Sequence, residues 1–108
     1  MRIFNKVDNT NCKQWVKELT KQAIQNSKLD CTKVVIEEFD CSDRIFLKIN
    51  EIDYTIRIWD LHPLDRDKKG HICRAIVSYT LFIMIEEEDG SCHGEEIDNN
   101  SLMIVWKN

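Results

Sequence analysis

Glycine is scarce in this chain, with three residues among 108, at positions 70, 90 and 94. No Gly-x-x-x-x-Gly-Lys cradle, Gly-x-Gly-x-x-Gly turn or Gly-x-Ser-x-Gly elbow can be drawn from them, which excludes nucleotide binding by a glycine loop. Long apolar runs are also missing. The longest hold four or five residues, as at Leu81 to Ile85, against the ~18 to 20 that a membrane-spanning helix needs. The first eight residues, Met1 to Asp8, lack the apolar stretch of a secretory signal, so a cytoplasmic protein with no membrane association is expected. Five cysteines stand at 12, 31, 41, 73 and 92, an odd number with no Cys-x-x-Cys spacing. A disulfide framework is not expected, and Cys12 and Cys73 read as small apolar side chains. No Glu-x-Lys occurs, so the carboxylate-plus-lysine arrangement of many metal-dependent nucleases is absent. His93-Gly94-Glu95 matches half of a zinc deaminase signature, but no Pro-Cys-x-x-Cys follows to hold the metal.

The length and a hydrophobic content of 43% suffice for one core without metal or disulfide staples, so residues 1–108 read as a single domain. Between 11 and 27, Cys12, Trp15, Val16, Leu19, Ala23 and Ile24 recur at the spacing of one helix face. Asn11 and Gln14 resemble a capping box, and 26–30 is a plausible stop. From residue 32 the period changes to two. Strands are predicted over Thr32–Phe39, Arg44–Asn50, Asp53–Leu61, Ile72–Glu87 and Leu102–Lys107. Short links between the first three make the sheet antiparallel. With Glu51 and Ile52 at a hairpin tip, Ile49 faces Tyr54, Leu47 faces Ile56 and Ile45 faces Ile58 in the core. The other face then sets Arg44 by Trp59, Phe46 by Arg57 and Lys48 by Thr55. Segment 72–87 is apolar on both faces, so its second face needs a cover: the helix, another layer or another molecule. The expected fold is α+β, one N-terminal amphipathic helix packed on an antiparallel sheet of about five strands, with loops at Asp60–Gly70 and Glu86–Asn100.

Three groupings of chemical side chains can be assembled. His71, Cys73, Cys92 and His93 are zinc-type ligands, but an extended strand over 72–87 separates the two pairs by ~50 Å. Asp60, His62, Asp65 and Asp67 could hold a divalent ion or supply a base, although Asp, Pro, Lys and Gly are also the usual makings of a solvated connection. Lys13, Lys17 and Lys21 form a basic helical stripe. With Arg44, Phe46, Lys48, Arg57 and Trp59 they allow a nucleic-acid reading, against which the pI near 5.3 argues.

Charge is the most informative feature. Residues 1–33 carry net +4 and residues 34–108 net −8. Glu86, Glu87, Glu88, Asp89, Glu95, Glu96 and Asp98 place seven anions in thirteen residues with no Lys or Arg between them. If the chain turns near Gly90, they converge on one end of the sheet, and a cationic partner is the natural counterpart to that repulsion. Trp59 and Phe46 are candidate apolar anchors. The chain is also rich in Phe, Tyr, Met, Ile, Asn and Lys, the skew of an AT-rich coding sequence from a low-GC bacterium, its phage or a mobile element.

The expected function is that of a small non-catalytic protein, needing no metal or cofactor. As monomer or homodimer it inhibits a protein with a basic surface, such as a nucleic-acid-handling defence enzyme blocked by a phage anti-CRISPR. An immunity protein neutralising a toxin uses the same physics. The competing class is a small metal-dependent enzyme centred on Asp60, His62, Asp65 and Asp67.

Overall fold

A computed structural model describes residues 14–29, 33–40 and 43–105, with the side chains of Gln14, Glu38, Phe39 and Asp40 excepted. The elements are α1 (Gln14–Ser27), β1 (Val34–Asp40), β2 (Arg44–Ile49), β3 (Ile52–Arg66), β4 (Ile72–Glu86) and β5 (Cys92–Val105). All five strands form one antiparallel sheet in sequence order. The expected Asn11 cap, Cys12, Lys13 and the end of the last strand lie outside the described residues.

The helix buries Val16, Leu19, Thr20, Ala23 and Ile24, while Gln25 and Asn26 stay exposed. Within it the Thr20 hydroxyl donates to the Val16 carbonyl at 2.8 Å, and Gln22 donates to Glu18 one turn earlier at 3.1 Å. Lys28 ends it with a left-handed backbone (φ 57°), the conformation that closes many helices. No helix among the described residues is long and apolar enough to cross a membrane.

The helix covers one face of the sheet. Ile45, Leu47 and Ile49 of β2, Tyr54, Ile56 and Ile58 of β3, Val77, Tyr79 and Leu81 of β4 and Ile104 of β5 meet it in a single core. Each fully buried Leu or Ile contributes roughly 1.5–3 kcal/mol by leaving water, so this face fixes the layer arrangement.

Three expectations are corrected. The β2–β3 turn is Asn50-Glu51, both with positive φ (51° and 72°), the two-residue turn whose twist suits a hairpin. Asn50 is held there by the residue before β1, its amide donating to the Lys33 carbonyl and its side-chain oxygen accepting from the Lys33 amide. Leu47 therefore faces Tyr54 and Ile45 faces Ile56, a two-residue slip from the expected register that leaves every side chain on its expected face. On the reverse face the pairs become Arg44–Arg57, Phe46–Thr55 and Lys48–Asp53.

The other two corrections concern the loops at Asp60–Gly70 and Glu86–Asn100, which are mostly strand. β3 runs to Arg66 and β5 starts at Cys92, not Leu102. Only 67–71 and 87–91 remain as turns, and they are built alike. Gly70 donates to Asp67 and Gly90 to Glu87, both at 3.0 Å, and the two glycines have φ of 86° and 90°, a conformation that disfavours side chains. Bulges at Ile58/Asp60 and beyond Pro63 let β3 carry a proline, which lacks the amide a regular ladder requires.

Candidate functional site

The β4–β5 hairpin gathers most of the acidic cluster at one end of a molecule whose longest dimension is 53 Å. Glu86 closes β4 opposite Cys92, Glu87 to Asp89 form the turn, and Glu95 and Glu96 follow on β5 opposite Ile83 and Phe82. All six are exposed. The turn is ordered by its own polar groups: Glu87 N donates to the Ser91 carbonyl at 2.7 Å, and Asp89 Oδ1 accepts from the Ser91 amide at 2.9 Å and its hydroxyl at 2.6 Å. These two Ser91 donors hold the Asp89 carboxyl below the usual carboxylate range.

The anions share an end but not a face. Strand alternation puts Glu86 and Glu96 with Phe82 and Met84 on the face away from the helix, and Glu95 on the helix side. His93 lies between Glu87 and Glu95, its Nδ1 against one carboxylate and its Nε2 3.3 Å from the other. Asp98 is set apart. It lies opposite Leu81, half-buried, and accepts a 3.2 Å hydrogen bond from the Tyr79 hydroxyl. Burial, and secondarily the Asp98 charge, pushes the Tyr79 hydroxyl up to about 12. Six of the seven predicted anions therefore form the solvated end, and the seventh serves a buried tyrosine.

The two predicted anchors separate. Phe46 lies in one row with Thr55, Phe82 and Glu96, one residue from each on successive strands. Trp59, 57% exposed, sits in a β3 bulge at the level of Ser78 and Tyr79. That level is about seven residues down β4 from Glu86, ~23 Å at the rise of an extended chain.

The other groupings do not converge. Asp60, His62 and Asp65 lie opposite Ser78, Ile76 and Arg74 along β3. Asp65 is paired with Arg74 at 2.7 Å, and Asp67 accepts from the amides of Lys69 and His71 within its own turn. His71 and Cys73 lie at one end of β4, and Cys92 and His93 beside the other. Among the described residues, no group of three or more His, Cys, Asp or Glu side chains is placed to hold a metal ion.

What sequence reasoning missed is the pairing on the open face of the sheet. Arg44 and Arg57 stand directly opposite each other and, with Phe46, Thr55, Phe82 and Met84, line a groove of about 270 Å³. The signal present in the sequence was Asn50, whose tolerance of positive φ sets the register. Comparison of the chain with protein-family models, with curated proteins and with solved structures yields no match to any of them.

Proposed function

We propose that the protein is a non-catalytic binding protein that inhibits or sequesters a partner through the acidic end of its β4–β5 hairpin. The observation that carries this reading is the collection of six exposed carboxylates, from Glu86 to Asp89 and at Glu95 and Glu96, on one ordered hairpin end with His93 as the cationic-capable side chain among them. Such a concentration of one sign opposes folding by self-repulsion and favours encounter with the opposite sign. The partner is a protein with a basic surface, and a nucleic-acid-handling enzyme is the concrete case, since carboxylates then stand where phosphates bind. A cytoplasmic anti-defence inhibitor encoded by a phage or mobile element fits this chemistry, as does an immunity protein against a basic toxin. Phe46, in the same row as Glu96, supplies the nearer apolar anchor.

The test is affinity capture from the source lysate with the wild-type chain and with a variant in which Glu86, Glu87, Glu88 and Glu95 are replaced by Gln. Wild type is expected to retain a basic protein whose association slows as salt rises, because exposed charges are screened within ~8–10 Å at ordinary ionic strength. The variant is expected to lose both the retention and the salt dependence. Equal capture by the two proteins removes the acidic end from the interface.

A further inference from the structure

The face of the sheet turned away from the helix holds, beside Phe46, side chains that the acidic end does not use. Phe46, Thr55 and Phe82 follow one another across β2, β3 and β4, and in the next row Arg44, Arg57 and Thr80 do the same. Strands ~4.8 Å apart put the two phenylalanines roughly 10 Å apart at the backbone, with the short Thr55 side chain between them. Gly94 of β5 borders the same groove. A Cβ there would lie 3.4 Å from Met84 Sδ and from both Cβ and Cδ1 of Phe82. With no side chain at 94, Phe82 and Met84 pack at the Gly94 backbone, and all three line the groove of about 270 Å³.

Arg44 has Asp40 of β1 opposite it on its outer side, but Arg57, in the middle of the sheet, has no carboxylate opposite it. Arg57 has Arg44 opposite it on one side and Thr80 on the other, so neither flanking strand offers a carboxylate. Neither arginine has an ion pair or a hydrogen bond among the described residues. Lys48 and Arg74 of the same sheet do, with Asp53 at 3.8 Å and Asp65 at 2.7 Å. Like charges directly opposite weaken a strand pair, and an anion bridging two guanidinium groups reverses that sign.

The surroundings select among anions. A long polyanion crossing this face meets Glu96, opposite Phe82 on β5, and then the acidic end. One small anionic group has only Glu96 of that end near it. Two aromatic rings beside a short floor suit a flat ring, and forked guanidinium groups suit phosphate oxygens. The volume lies near the lower bound for small-ligand sites, roughly 300 Å³.

We infer that this groove binds a mononucleotide-type ligand, its base between Phe46 and Phe82 over Thr55 and its phosphate on Arg57 and Arg44. This inference does not rest on the function proposed for the acidic end. The test is calorimetric titration of the full chain, at low salt, with adenosine and uridine 5′-monophosphates, inorganic phosphate, adenosine, a twelve-residue oligothymidine and a hexaglutamate peptide. The expected result is submillimolar binding of at least one mononucleotide, with phosphate and adenosine each weaker by about tenfold or more, since base and phosphate contacts act together. Arg57→Gln should weaken that binding by about tenfold or more while leaving the thermal midpoint at or above wild type, as a repulsive pair is lost. Gly94→Val, by setting a branched side chain against Phe82 and Met84 at the groove's edge, should do the same to binding. The inference is overturned if neither mononucleotide binds better than inorganic phosphate, if Arg57→Gln binds as wild type does, or if the oligonucleotide or the peptide binds and the mononucleotides do not.

Discussion

Alkaline pH should destabilise this protein through one buried hydroxyl. Tyr79 is fully buried in the core, and its hydroxyl donates to Asp98 Oδ2 at 3.2 Å. Burial first, and the Asp98 charge second, raise it from 10.0 to about 12, partly offset by a hydrogen bond with Asn26. The unfolded chain gives up this proton near pH 10, whereas the folded chain keeps it until about pH 12. Between those values the folded state binds more protons, so stability falls as pH rises, and below pH 10 the contribution is fully present. At about 1.4 kcal/mol per pH step, the loss reaches roughly 1.4 kcal/mol by pH 11 and 2–3 kcal/mol by pH 12. Tyr79→Phe removes the titration and with it a hydrogen bond to a half-exposed carboxylate, worth about 1 kcal/mol. Urea unfolding followed by circular dichroism at pH 8, 9, 10 and 11 separates the two effects. Wild type should be the more stable protein at pH 8, by about 1 kcal/mol, and should lose that advantage between about pH 10 and 11. Only the difference between the two proteins is read, since position 79 is all that separates them. A difference that stays constant from pH 8 to 11 would refute the reasoning.

Two further outcomes follow from the fold. Glu51 adopts φ of 72° at the second position of the β2–β3 turn, so Glu51→Gly, giving Asn-Gly, should raise the thermal unfolding free energy by about 0.5–1 kcal/mol. Leu81 is fully buried, whereas Met103 is 51% exposed. Leu81→Ala should therefore lower stability by about 2–5 kcal/mol in urea unfolding, with Met103→Ala within about 0.5 kcal/mol of wild type.

The helix and the helix-facing side of β2 and β3 were legible in the sequence because they bury one face completely. Val16, Leu19, Ala23 and Ile24 keep the helical interval, and Ile45 to Ile49 and Tyr54 to Ile58 alternate without a break. The first half of β5 was not legible. Residues 92–101 are exposed apart from half-buried Asp98, so no burial periodicity marks them. They are strand because the turn around Gly90 feeds them back along β4, whose ladder they complete. Pro63 likewise disguised the far half of β3, since a bulge absorbs it. Slipping the β2–β3 register by two leaves the core composition unchanged, so hydrophobic patterning cannot fix it. Only Asn50 and its bonds to Lys33 do. That slip decides the chemistry of the open face, because it replaces an expected Phe46–Arg57 neighbour pair with Arg44 directly against Arg57.

Opposite charges at two places on one small sheet would cancel if they lay within a screening length of each other. Glu86 and Arg57 do not. Arg57 is opposite Thr80, six residues along β4 from Glu86, which is ~20 Å, about twice the distance over which exposed charges act at physiological salt. The hairpin end can therefore attract a basic surface without drawing its field from the guanidinium pair, and the pair can hold an anion without repulsion from most of that end. Glu96 is the exception. It sits two strands from Arg57 and one row toward the acidic end, ~12 Å by strand spacing and rise, about one and a half screening lengths at physiological salt and closer than the rest of that end. Through Glu96 a cation arriving at the acidic end would strengthen the pull on an anion in the groove. An anion in the groove would favour the cation to the same degree, as linkage between two sites requires.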